Sequence, residues 1–363
     1  MPIREKSFRI GCGRYLQEPG ILQNLGSEVL RLGNAPLIVG GKTALNLTAS
    51  TIEKSVSAVC PRYRVELHCG TCNEEDAKAF AELALKESFD VIVGVGGGVI
   101  MDFAKMIAHF AHLPIINVPT SSATCAAYTP LSVMYTKDGR TVGSFHHERE
   151  VNAVLADTAV ISTQPARLLL AGVFDAMAKY LEIKHRYNGE CADYPLGLDF
   201  AYVLSQRSFK VLSDKTDNCL SDMKDQVFSD AVEEVVFTSI AATGVISGIA
   251  RGSNQCALAH KFYEITRVLF GESSKPYLHG EIVGMGLLMQ NYYNNETERN
   301  TELLELMKKH SMPYRVSDLG IARTEESFCE YFNRIKNSSA INEANSDECK
   351  KLELALRYLW DIE

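Results

Sequence analysis

Short apolar runs bounded by turn residues recur through the first half of the chain: "APLIVG" at 35–40, "YRVELH" at 63–68, "FDVIVGV" at 89–95 and "LPIINV" at 113–118. Between them, at 43–58, 73–87 and 99–112, apolar positions return every three to four residues, the period of a helix with one buried face. Buried strands alternating with helices predict βαβ units and a parallel, Rossmann-like sheet. The pattern then weakens. "LSVMYTKDGRTVGSF" at 131–145 predicts a hairpin turning at Lys137-Asp138-Gly139-Arg140, and "AVLAD" at 153–157 predicts one more strand. From about Ser162 strand signals fade, and long amphipathic stretches at 195–213, 225–250, 254–270 and 279–294 predict helices. The expected boundary lies near residue 162, giving an α/β domain over 1–162 and an all-α domain over 163–363. The polar stretch 337–349 reads as a loop.

Composition agrees with two domains, since 363 residues exceed one ordinary core. A net charge of −8 argues against nucleic-acid partners, which need a surplus of Lys and Arg on one face. No apolar stretch reads as a membrane span, and "MPIREKSFRI" lacks the apolar core of a signal peptide, so a cytoplasmic setting is expected. Ten cysteines are scattered, Cys191 among them, and the close pair Cys69 and Cys72 has no second pair to complete four metal ligands. They read as buried or loop thiols, with "TCNEEDAKAF" a helix start capped by Asn73 or Thr71.

The densest glycine run is "VGVGGGVIMDFAK", residues 93–105. A strand, glycines and a helix in that order gather free backbone N–H groups and a helix dipole at one spot, which suits a phosphate or pyrophosphate. The dinucleotide pattern G-x-G-x-x-G would need glycines at 94, 96 and 99, but residue 99 is Val. No acid follows about 20 positions on, where "NVPTS" stands. "GKT" at 41–43 would complete a P-loop only with Gly at 36, which is Pro.

The surroundings of the run carry more. "GVGGGVIMDFAK", "NVPTSSATCAAYTPLSVMYTKDG", "LLLAGVFDAMAKYLE", "CALAHKFYE" and "YLHGEIVGMGLL" follow in order and at suitable spacing. Together they resemble the glycerol dehydrogenase branch of the metal-dependent, iron-containing-type alcohol dehydrogenases, related in fold to dehydroquinate synthase. The resemblance implies a sheet domain for NAD or NADP, a helical domain for a divalent metal, and a cleft between them. It places Gly96, Gly97 and Gly98 on the pyrophosphate with Asp102 one turn on. Gly40 falls at the ribose, Thr120 and Ser121 on the adenine side, and Thr129, Leu131 and Tyr135 on the nicotinamide. The plainer readings are sheet packing for Leu131 and Tyr135 and a helix-surface charge for Asp102.

For the metal, the resemblance supplies Asp175, and the residue four on is Lys179, whose ammonium cannot coordinate. A three-ligand site with an open position follows, the zinc arrangement, with iron as the alternative. His279 matches the last ligand. At the middle position the family's H-x-x-A-H reads C-A-L-A-H here, so His260 is the expected ligand, with a Cys256 thiolate or no competent site as alternatives. The remaining pairs, His109 with His112 and His146 with His147, read as core, surface or loop residues.

The implied activity is reversible hydride transfer between an alcohol carbon and nicotinamide, with the metal a Lewis acid on the substrate oxygen. Lys179 is then a proton relay, an anion contact or a plain helix charge. Cys125 stands where an Asp would hold polyol hydroxyls, and a thiol is a poor acceptor, which weakens the case for glycerol itself. "VGGK" at 39–42 has no acid to repel a 2′-phosphate, leaving NAD and NADP both open. The expected partner is a small alcohol, polyol or carbonyl compound, and the expected assembly a homo-oligomer. A glycerol-1-phosphate dehydrogenase or sugar-phosphate cyclase is the runner-up, and a catalytically idle nucleotide-binding relative a further alternative.

Overall fold

Six strands form one parallel sheet in the order β1-β8-β5-β4-β2-β3. They are β1 (Tyr15–Glu18), β2 (Pro36–Gly40), β3 (Arg64–Leu67), β4 (Val91–Gly96), β5 (Ile115–Pro119) and β8 (Ala153–Asp157). A separate antiparallel pair, β6 (Leu131–Tyr135) and β7 (Thr141–His146), closes through Thr136–Arg140, with Gly139 at φ 90°. The computed structural model describes residues 10–187, 196–250 and 255–363; Cys191 and the first residues, 195 and 254, of two expected helices lie outside them.

Strands β2, β4, β5 and β8 are buried at every residue, which is why they read as continuous apolar runs. β1 is the strand the sequence pattern misses. It is an edge strand of "YLQE", paired only with β8, so half its side chains are polar. The crossovers are helical: α1 (Lys42–Ser57), α2 (Glu74–Lys86) and α3 (Gly98–Ala111). Asn73 caps α2 by accepting from Asp76 N at 2.9 Å, and three acids in the first turn complement the dipole.

The described residues fall into two compact units: the chain up to Pro165 with Asp214–Gly248, and Ala166–Ser213 with Ile249–Glu363. The helical half of the sequence therefore supplies both. Within the sheet unit, Glu233 accepts from Gln17 Nε2 at 2.7 Å and Thr158 Oγ1 at 2.5 Å. The run Asp230–Ala250, helical through a π turn at Thr238–Ala242, is long and apolar enough to cross a membrane, contrary to the sequence expectation. It packs instead: 61% of the apolar window is buried. The expected C-terminal loop is shorter than 337–349, because Asn345 caps a helix over Ser346–Trp360.

The second unit is built on α4 (Ala166–Tyr187), α5 (Leu258–Leu269) and α6 (His279–Tyr293). Glycines on α6 let it lie close on its neighbours. A Cβ at Gly280 would stand 1.8 Å from Ala171 O, at Gly284 2.8 Å from Phe174, and at Gly286 2.7 Å from Ala259 Cα. The first and last of these contacts are to backbone, which cannot step aside. We expect Gly280→Ala to lower the unfolding free energy by about 3 kcal/mol or more, at the upper end for overpacking. Urea unfolding measures it, and a loss under about 1 kcal/mol would contradict this packing.

Candidate active site

Helix α4 carries Asp175, Lys179 and Glu182 at i, i+4 and i+7, one face of a helix. All three are buried. The first turn of α5 brings His260 to this face, and the first residue of α6 brings His279. His260 Nε2 lies 3.3 Å and His279 Nε2 3.5 Å from Asp175 Oδ1, with Lys179 Nζ at 3.9 Å. The start of α6 is fixed by Glu281, which pairs with Arg167 at 2.6 Å through each oxygen and accepts from Leu278 N. Tyr263 packs edge-on against the His279 ring at 4.2 Å, and Arg267 covers Tyr263.

Electrostatics follow from that crowding. Burial pushes the Asp175 carboxyl up, but Lys179 and the two imidazoles outweigh it and hold it well below the usual carboxylate range. Burial pushes His260 down, yet the Cys256 and Glu182 side chains and Asp175 reverse this and leave it well above the usual histidine range. For His279 burial wins over Asp175, and the ring sits below that range, favouring the neutral form with a free lone pair.

Asp175 Oδ1 is buried with no hydrogen-bond partner among the described residues. A buried carboxylate oxygen left without a donor is costly, and here it faces two imidazole nitrogens. One anionic oxygen and two nitrogens, all within 4.8 Å of one another, are a donor set that a divalent cation takes. The residues present thus fit a metal. Cys256 is not in this trio; it groups with Glu182 and His260. Lys179 is a buried charge rather than one on the helix surface. Cys125, also expected near the chemistry, belongs to the sheet unit.

Glu182 was not singled out by the sequence. Its signal was there: an acid seven residues after Asp175, inside the apolar run "AGVFDAMAKYLEI". Its Oε2 lies 2.5 Å from His260 Nδ1, and its Oε1 accepts from Ala257 N and His260 N at 2.7 and 2.9 Å.

In the sheet unit the glycine run lies where β4 ends and α3 begins, with Gly97 as the N-cap and no side chain capping the helix. Close approach explains two of the glycines. A Cβ at Gly96 would meet Ile100 at 2.9 Å, and one at Gly98 would meet Thr124 Oγ1 at 3.0 Å. Gly40 ends β2 beside Val95 of β4, and a Cβ there would stand 2.8 Å from Val95 O. Thr120 and Ser121 follow the end of β5, so all these residues line the carboxyl ends of neighbouring parallel strands, where open α/β sheets bind ligands. Thr129, Leu131 and Tyr135 are half-buried on the segment leading into and along β6.

Asp102 is placed differently. It points inward, where its Oδ1 pairs with Lys105 Nζ at 3.0 Å and its Oδ2 accepts from Val133 N at 3.1 Å. Burial raises its carboxyl, and the Lys105 ammonium reverses only part of that rise. Of the remaining candidates, Cys72 and His68 are packing residues. Cys72 is buried against Met134, its thiol pushed up to about 12, and Cys69 is exposed. His68 stacks on Phe103 at 3.7 Å.

Comparison with known proteins completes the picture. The family model for iron-containing alcohol dehydrogenases matches residues 12–158. A glycerol dehydrogenase of Thermotoga maritima is 27% identical over 358 residues, covering 95% of this chain and 94% of that protein. The solved structure of a probable glycerol dehydrogenase from Sinorhizobium meliloti 1021 shares the fold with a TM-score of 0.80 at 22% identity, covering 98% of this chain and 99% of that one. A sulfoacetaldehyde reductase from Bifidobacterium kashiwanohense, solved in complex with NAD+, gives 0.76 at 15% identity, covering 98% and 99%. The chain matches the iron-containing alcohol dehydrogenase family over residues 12–158 and resembles glycerol dehydrogenases along most of its length.

Proposed function

We propose that the protein is a metal-dependent, NAD(P)-linked oxidoreductase that interconverts a small alcohol or polyol and its carbonyl compound. The observation that carries this reading is the trio Asp175, His260 and His279, built around a buried carboxylate oxygen with no hydrogen-bond partner among the described residues. The family match over residues 12–158 and the named dehydrogenase relatives support the reaction class.

In this reading Asp175, His260 and His279 hold a divalent ion, zinc ahead of iron because one oxygen and two nitrogens leave a fourth position open. When bound, the ion supplies Lewis acidity toward the substrate oxygen, and the nicotinamide supplies the hydride acceptor or donor. The chain does the positioning. The N–H groups at the start of α3 receive the pyrophosphate, while Gly40, Thr120 and Ser121 line the adenosine half. Thr129, Leu131 and Tyr135 line the nicotinamide half. The Lys179 ammonium lowers the electron density Asp175 can donate and stands ready as a proton donor or anion contact. Cys125 offers a weak acceptor to a polyol, so a simple alcohol or hydroxycarbonyl fits as well as glycerol. A cytoplasmic homo-oligomer is the setting assigned.

The test is metal analysis of the purified protein joined to a screen of alcohols and carbonyls with NAD(H) and with NADP(H). We expect turnover that is lost on chelation and restored by Zn²⁺, Co²⁺ or Fe²⁺. A protein that binds none of these ions, with no rate in their presence, would overturn the reading. Turnover confined to phosphorylated polyols would replace the substrate assignment.

A further inference from the structure

We propose that Glu182 is a positioning residue that selects which nitrogen of His260 faces the metal. It accepts the hydrogen bond from Nδ1–H and so commits Nε2 to the trio. The inference rests on the reading of Asp175, His260 and His279 as a metal site.

The geometry gives the carboxylate two tasks, one for each oxygen. Glu182 is fully buried, at 0% exposure. One oxygen, Oε1, accepts from Ala257 N and His260 N, at the first turn of α5. The other, Oε2, meets Nδ1 of the His260 ring at 2.5 Å. An ionised carboxylate only accepts, so the ring nitrogen facing it must carry a proton. That leaves Nε2, 3.3 Å from Asp175 Oδ1, as the atom able to offer a lone pair to a cation. Main chain and ring of the same histidine are thus held by one side chain, which fixes both its position and its orientation. Metal-ligating histidines are regularly held in this way by a carboxylate behind the ring.

The alternative is that Glu182 serves only as a cap of α5, whose N-terminal N–H groups and dipole favour an anion. The two roles separate in Glu182→Gln. Glutamine keeps the size, and its amide oxygen still accepts from Ala257 N and His260 N. Its NH₂ group then faces Nδ1 and donates to it. The ring must accept at Nδ1 and carry its proton on Nε2, the wrong end for the trio.

The experiment measures Zn²⁺ affinity of metal-free protein by competition with a chromogenic chelator, alongside its thermal unfolding. For E182Q we expect an unfolding temperature close to wild type and an affinity about 10- to 100-fold weaker, the usual cost of losing such a partner. Gln290→Leu is the control. It removes another acceptor of the same helix start, Gln290 Oε1 on Leu258 N at 2.9 Å, without touching the His260 ring. It should leave Zn²⁺ affinity within a few-fold of wild type. Equal affinity in E182Q and wild type, or an equal loss in Q290L, overturns the role of Glu182 while the metal reading stands. Wild type that binds no Zn²⁺ overturns both. A further readout needs no variant: ¹⁵N spectra of zinc-loaded wild type should show His260 protonated at Nδ1, and an unprotonated Nδ1 refutes the proposal.

Discussion

Asp175→Asn should strip the protein of its metal and its turnover together. Asp175 is the single anionic member of the trio, and its Oδ1 is the atom on which both imidazoles converge. Asparagine keeps the shape and removes the charge. The Lys179 ammonium, 3.9 Å away and buried, then faces a neutral amide in place of Asp175. Breaking a buried pair from one side costs about 3–5 kcal/mol, and the same repulsion acts on any cation entering the site. At about 1.4 kcal/mol per factor of ten, a loss of about 4 kcal/mol is roughly a thousandfold. We expect metal affinity and kcat/KM to fall by at least about that factor, with a lower unfolding temperature in the metal-free protein. Metal content by atomic spectroscopy, with the rate measured in excess Zn²⁺, decides it. A D175N protein that keeps stoichiometric metal would show that the trio is not the site.

Lys105→Met should be the most damaging single change in the sheet unit. The Lys105 ammonium is buried, pairs with Asp102, and donates to the backbone oxygens of Ala126 at 2.8 Å, Thr129 at 2.9 Å, and Leu131. Four acceptors on one cation tie α3 to the segment that leads into β6. Methionine fills the volume and leaves Asp102 as an unpaired buried carboxylate, which again costs about 3–5 kcal/mol. Denaturant unfolding should show a loss in that range, and the double variant Asp102→Asn with Lys105→Met should recover part of it as a coupling energy. Thr129 and Leu131 lie on the tethered segment, so NADH affinity by fluorescence titration should weaken while Zn²⁺ binding persists. A single variant that loses under about 1 kcal/mol would mean that the four contacts add little.

The four inner strands were legible from sequence for one reason. Strands β2, β4, β5 and β8 are buried on both faces, so their sequences must be apolar throughout, and a run of that kind is hard to mistake. β1 lies at an edge, carries Gln17 and Glu18, and left no such run. Helical periodicity identified the helices after residue 162 but not their partners, since a period says which face is apolar and nothing about what covers it. That is why the packing of Asp214–Gly248 with the sheet was not readable.

The site divides along the same line. Asp175 and His279 were found through motifs in order. Glu182, Lys105 and the inward turn of Asp102 were not, because a charged residue on a helix looks like surface until its neighbours are known. At the middle position the spacing left Cys256 and His260 open. Cys256 precedes α5 and His260 lies in its first turn, and His260 is the one beside Asp175 and His279.

The trio is also unevenly open to water. The His279 side chain is 31% exposed, against 8% for Asp175 and 9% for His260. A cation entering the proposed site from solution would meet His279 first and the two buried donors after it, and a chelator would reach it past the same imidazole. The lifetime of an ion held there would then be set at the rim, by how often that imidazole swings away, rather than by the anchor beneath it. Small chelators should strip the protein far faster than bulky ones of equal strength.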